Sequence, residues 1–180
     1  MLPIAPSVAR DRRTLHVVVR TVYVAELDGR IPLDRQRIVA AGIDLADADG
    51  LGSLSMRKLA RELGFEVMSL YNHVAAKGEL LGLMVDEVAG EIPLPEGAAP
   101  LTAIRDLAIR RREVYLRHPW APPVWLRNAP GPIRWVLMET QLRLFAESGL
   151  SSEIAHHGFH AVGNHVLGAT LHEVAAETAM

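Results

Sequence analysis

The chain has 180 residues, 49% of them hydrophobic, a formal charge of −2 and no cysteine. That size supports a small unit plus one larger core. The charge excludes a general polyanion binder, and the missing thiols exclude a disulfide framework and thiolate metal sites.

Residues 1–32 come first, and they read two ways. Val17, Val18, Val19, Val22, Tyr23 and Val24 are strand-prone, yet Leu15, Val18, Val22 and Glu26 also suit a helix. Arg10, Asp11, Arg12, Arg13 and Arg20 interrupt the apolar stretch a signal peptide needs. No apolar run reaches the roughly 18 residues of a membrane span. A soluble, cytoplasmic protein is expected.

Residues 35–48 place Ile38, Ala41 and Leu45 on one helical face, and Asp49-Gly50 and Gly52-Ser53 punctuate the connection that follows. Residues 53–77, SLSMRKLARELGFEVMSLYNHVAAK, spell a helix-turn-helix. Ser55 is the predicted N-cap, and Met56, Leu59, Ala60 and Leu63 recur at i, i+3, i+4 and i+7. Gly64 supplies a left-handed stop. A second short helix, 66–73, buries Val67, Leu70 and Tyr71. Ala60, Gly64 and Leu70 give two steeply crossed helices their small contact, turn and apolar anchor. A fourth stripe then carries Leu81, Met84, Val85 and Val88.

The second helix of such a motif lies in the major groove while the first crosses the backbone. With Leu70 and Val74 inward, Val67, Met68, Ser69 and Asn72 point out. Asn72 and Ser69 are polar readers, and Val67 and Met68 offer contacts to thymine methyls. Arg57 suits a bidentate guanine contact, and Lys77 opens the fourth helix, where free N–H groups favour phosphate. Plainer roles exist: a solvated Arg57, a core Tyr71, a His73 that caps a helix end. Segment 34–90 carries six basic and nine acidic residues, a net −3. Bases must therefore gather on the reading face with acids turned away, and a shallow salt slope is expected.

Residues 91–97, EIPLPEG, break helix and mark a boundary. Beyond it, 101–117 is a basic amphipathic helix with Ile104, Leu107, Ala108 and Val114 inward and a solvated Arg110-Arg111-Arg112 run. Segment 119–126 is proline-laced, with Trp120 and Trp125. Segment 133–147 is apolar nearly all round (Trp135, Val136, Leu137, Met138, Leu142, Leu144, Phe145), as a central buried helix should be. Segment 152–178 is the last helix, with Ile154, Phe159, Val162, Val166, Leu171 and Val174 apolar. The predicted fold class is all-α.

The three helices and connector over 33–88, with LYNHVAAKGELL at their junction, resemble the N-terminal domain of the tetracycline-repressor-like (TetR) family. Weaker likeness continues through Gly149-Leu150-Ser151 and HAVGNHVLGATLHE. The resemblance implies a DNA-binding domain over 33–90, a C-terminal ligand-binding and dimerisation domain over 91–180, and an extension over 1–32. It implies a dimeric transcriptional repressor that binds double-stranded operator DNA and is released by a small effector. It also implies that Ser55, Tyr71, His73 and Lys77 clamp phosphates, and it supports base reading by Arg57. The C-terminal half would enclose a pocket lined by Trp120, Trp125, Trp135, Met138, Gln141, Phe145, Phe159, His160 and Asn164, suited to a medium-sized apolar or aromatic ligand. Gln141 matches a drug-contacting glutamine of the namesake repressor. Trp125, however, stands near the counterpart of its magnesium-binding histidine, so the Mg²⁺–drug chemistry is not expected.

Glu153, His156, His157 and His160 form a partial ligand set, read as solvated or pocket-lining, so no metal site and no cofactor are expected. Relatives usually carry one or two further helices after the segment ending at Met180, so the dimer either uses the last helix alone or is weakened. The alternative is a small-molecule or protein-binding helical module of the same fold with weak or lost DNA binding. An enzyme is disfavoured: there is no glycine-rich phosphate loop, G-x-S-x-G or H-E-x-x-H.

Overall fold

The structure, a computed structural model, describes residues 32–178. The alternatives for 1–32 therefore lie outside the described residues, Pro32 apart. Among the described residues every regular element is helical: α1 Arg35–Asp49, a 3₁₀ turn Leu51–Ser53, α2 Met56–Leu63, α3 Val67–Tyr71, α4 Lys77–Ala89, α5 Pro100–Arg117, α6 Ala121–Arg127, α7 Pro132–Ala146 and α8 Ser152–Thr178. The all-α expectation holds. No described helix is long and apolar enough to cross a membrane.

Local chemistry sets the helix ends. Asp34 caps α1 by accepting the Arg37 N–H at 2.7 Å, and Ser55 caps α2 by accepting the Lys58 N–H at 3.1 Å. Gly64, at φ 75°, ends α2 in the left-handed region, and the Phe65 N–H reaches back to the Ala60 carbonyl at 2.9 Å. Prolines sit in the first turns of α5, α6 and α7, where a missing N–H costs nothing.

The first core joins α1, α2, α3 and α4 through Ile38, Leu54, Leu59, Leu70, Val74 and Leu80, all at most 2% exposed. Burying each side chain contributes about 1.5–3 kcal/mol before entropy is counted. Gly42 lets α1 approach α4, since a Cβ there would meet the Met84 sulfur at 2.9 Å. The second core stacks α5, α7 and α8, with Ala103, Ile104, Leu144, Phe145 and Ala155 at its centre. Helix α4 packs on α1 and also on α6 and α7, so it serves both cores.

The central helix differs from expectation. In α7, Trp135 is 57% exposed, and Val136 and Leu142 are also exposed, whereas Arg134, Thr140 and Gln141 are buried. Apolar residues all round a helix do not oblige every side to be covered. Here α7 turns Arg134 inward onto Asp86 and Gln141 toward a cavity.

Candidate functional site

In the helix-turn-helix, Leu70 and Val74 are fully buried and hold α3 against α2. This turns Met68 (72% exposed) and Asn72 outward, with Val67, Ser69 and His73 half-buried. Tyr71 is exposed rather than part of the core. Helix α3 spans only Val67–Tyr71, so Asn72 is its C-cap rather than an internal residue, and His73 lies beyond it. Arg57 is exposed at the start of α2. Ser55 is committed to its cap through a lone pair, while its hydroxyl proton remains a donor. Lys77 donates to the Leu54 carbonyl, which fixes its stem beside the end of the 3₁₀ turn and leaves two ammonium protons for another acceptor.

The acids of this segment are not simply turned away. Asp49 pairs with Lys58 at 2.6 Å and Glu79 with Arg35 at 3.6 Å. Asp47 accepts from the Trp120 indole at 2.6 Å and contacts the His118 ring at 2.9 Å. Asp86 is buried and bound to Arg134. With Asp34 capping α1, five of nine carboxylates are thus occupied, and Arg57 and Arg61 form no ion pair among the described residues.

The second feature is a cavity of about 270 Å³ among α5, α6, α7 and α8. Of the nine predicted lining residues it is lined by six: Trp125, Met138, Gln141, Phe159, His160 and Asn164. The other three lie elsewhere. Trp120 is buried with its indole N–H on Asp47. Phe145 is core, so close to α8 that a Cβ on Gly158 would strike its ring at 2.6 Å. Trp135 faces outward. An aromatic residue on a helix carries no mark of which side a cavity will occupy.

Two cationic walls went unforeseen. The expected solvated Arg110-Arg111-Arg112 run divides: Arg110 donates to the Pro93 carbonyl at 3.0 Å, Arg112 pairs with Glu173 at 2.5 Å, and Arg111 lines the cavity. A signal existed, because Arg111 continues the inward face of Ile104 and Leu107 at i+7 and i+4. Arg111 donates through Nε to the Tyr115 hydroxyl at 2.9 Å, and its guanidinium lies 4.7 Å from the Trp125 ring centre. Burial pushes the Tyr115 phenol above its ordinary pKa, against the opposing charge of Arg111.

Arg134, 1% exposed, carried a comparable signal, because it precedes the predicted lining residues Met138 and Gln141 by four and seven positions. Its Nε donates to Asp86 at 3.3 Å, and its other nitrogens donate to the carbonyls of Trp125, Asn128 and Ala129. Asp86 also accepts the N–H groups of Ile133 at 3.1 Å and Arg134 at 3.0 Å. A carboxylate of the connector α4 thus caps α7, the helix that walls the cavity. Gly131 makes room for it, since a Cβ there would lie 2.5 Å from the carboxylate.

A third contact joins the same regions. His118 lies between Asp47 of α1, at 2.9 Å, and Glu91, at 3.3 Å. Burial pulls the His118 pKa down, but hydrogen bonds to Glu91 and Asp47 and their charges outweigh it, and the net shift is upward. The His118 bond holds the Glu91 carboxyl down at about 2, against burial and with help from Arg117.

A helix-turn-helix whose connector is bonded to a cavity-bearing helical core defines the class of helix-turn-helix proteins with a helical C-terminal domain. The chain belongs to the TetR family. The family described as Tetracyclin repressor-like, C-terminal domain matches residues 94–180. The HTH-type transcriptional repressor DrrR1 of Streptomyces coeruleorubidus is 36% identical over 163 residues, 84% of this chain and 60% of that protein. The crystal structure of the Streptomyces coelicolor TetR family protein ActR in complex with actinorhodin is 32% identical at a TM-score of 0.75, covering 81% of this chain and 71% of that one. That of BioQ with its double-stranded DNA operator is 27% identical at a TM-score of 0.71, covering 79% and 88%. The chain spans about 60% of the length of the curated regulators it matches first.

Proposed function

We propose that the chain is a sequence-specific, operator-binding transcriptional repressor, released when a small aromatic ligand occupies the cavity among α5, α6, α7 and α8. The observation that carries this reading is the Asp86–Arg134 bond, 3.3 Å long, which ties the connector of the reading head to a cavity wall. Occupation of the cavity displaces Arg134 or the 128–131 turn it binds, and Asp86 passes that movement to α4. Release follows only if the ligand prefers the displaced arrangement. BioQ, with its operator, and ActR, with actinorhodin, support the DNA and bound-ligand halves of the reading.

At the DNA, Arg57 reads a base edge, with Ser69, Asn72, Val67 and Met68 of the second helix beside it. Ser55, Tyr71, His73 and Lys77 hold phosphates. The protein works in the cytoplasm as a homodimer, because two heads must enter successive major grooves ~34–36 Å apart.

A mobility shift with DNA from upstream of the protein's own gene tests this at fixed moderate salt. The native chain should give a discrete shift, and Arg57→Ala should weaken it by about 1–3 kcal/mol with unchanged thermal stability. A shift that Arg57→Ala retains in full would refute base reading by Arg57.

A further inference from the structure

The cavity is lined by no carboxylate. Arg134, one of its two arginines, is already matched by Asp86 and by backbone carbonyls. Arg111 is different: among the described residues it forms no ion pair. Its bonding partner is a neutral phenol, accepting at 2.9 Å from Nε. The Tyr115 group that accepts is fully buried, and burial keeps it protonated, so it supplies no counter-charge. With Nε engaged, the two terminal nitrogens remain for a planar acceptor. One of them, Nη1, lies near Gly163 of α8, where even a Cβ would be only 3.9 Å away. A side chamber of about 20 Å³, walled by Arg111, Trp125, Met138 and Gln141, adjoins the main space.

A guanidinium beside a low-dielectric cavity with no compensating charge is an electrostatic cost that a ligand anion removes. Carboxylate suits the fork geometry better than a point anion, because two oxygens meet two N–H groups in one plane. Trp125 and Phe159 supply flat apolar walls for the rest of the ligand. The volume lies at the small end of small-molecule sites, which favours few fused rings.

From this geometry we infer that the effector is a small aromatic carboxylate, whose anion pairs with the Arg111 guanidinium while its rings lie against Trp125. The inference rests on the cavity being the effector site of the proposed regulator.

Equilibrium dialysis of the full chain with 2-naphthoate and its neutral isostere 2-naphthamide tests it without DNA. The native chain should hold naphthoate at least about tenfold more tightly than the amide, a factor worth about 1.4 kcal/mol. Arg111→Met should abolish the preference and Arg111→Lys should keep part of it. Arg112→Met, which removes the same charge from the solvent side of α5, should leave the preference intact. Helical circular dichroism verifies that each variant is folded. Equal binding of acid and amide, retention of the preference in Arg111→Met, or binding of neither probe would each overturn the inference. Arg111-dependent naphthoate binding by a chain that shifts no DNA would keep the carboxylate site and sink the repressor. A specific DNA shift with no acid preference would do the reverse.

Discussion

The reading head and the cavity wall handle polar groups in opposite ways. In the head, the capping bonds are local: Asp34 to Arg37 and Ser55 to Lys58 each span three residues, and the proposed DNA-contacting groups are exposed or half-buried. In the cavity half the decisive bonds are long: Asp86 to Arg134 spans 48 residues, Arg112 to Glu173 spans 61, and Trp120 to Asp47 spans 73. The first arrangement makes a surface whose contacts change cheaply with sequence. The second makes a wall in which one broken bond is felt in the connector helix.

The largest expected effect therefore lies at Asp86. Asp86→Ala leaves the 1%-exposed Arg134 without its counter-charge and uncaps α7. Breaking a buried pair costs about 3–5 kcal/mol, readable as a lowered urea midpoint. A loss below about 1 kcal/mol would show that the connector and the wall are not mechanically joined. Gly131→Ala drives a methyl against the same carboxylate and should cost about 1–3 kcal/mol. If that variant melted at the native temperature, the turn would have to yield freely around the carboxylate.

In the head the effects are smaller. Ser55→Ala removes one cap and should cost about 1 kcal/mol of stability, in thermal unfolding without DNA. Its DNA affinity should fall further than that loss explains if the hydroxyl also donates to phosphate. Proportionate losses would reduce Ser55 to a cap.

The smallest effect belongs to pH. His118 is raised in the folded state, so its contribution is complete below its ordinary 6.5 and disappears as pH climbs through the folded value. Glu91 is depressed to about 2, so its contribution is complete above its ordinary 4.5 and is lost as pH falls toward 2. The pair stabilises most between those ordinary values. The Glu91 side chain is 43% exposed, so screening keeps the effect below about 1 kcal/mol. His118→Gln should flatten the decline of stability above pH 6.5 in denaturant titrations at several pH values. An unchanged decline would assign it to other groups.

Much of the head is legible in the sequence. Ser55, the apolar spacing of α2, Gly64 and the inward Leu70 and Val74 are short-range features, and short-range geometry is written in consecutive residues. Tyr71 was ambiguous because a tyrosine suits both core and surface, and packing put it outside. The cavity half was legible as helices and partly as lining, six of nine residues. Its misplaced members were all large aromatics, whose burial depends on which helix arrives opposite. Arg111 was missed although helical periodicity marked it, because a run of three arginines suggested solvent.

By itself, then, the sequence determined the all-helical class, the helix-turn-helix with its caps and the family. Each depends on residues within a turn or two of one another. Only the tertiary structure decided that Asp86 belongs to α7 as much as to α4, that Arg134 is buried, that α7 leaves Trp135 outside, and that Arg111 faces a cavity without a counter-charge. Those outcomes arise where segments distant in the chain meet, 48 residues apart for Asp86 and Arg134, and charge placement there follows from which partners the fold brings within reach.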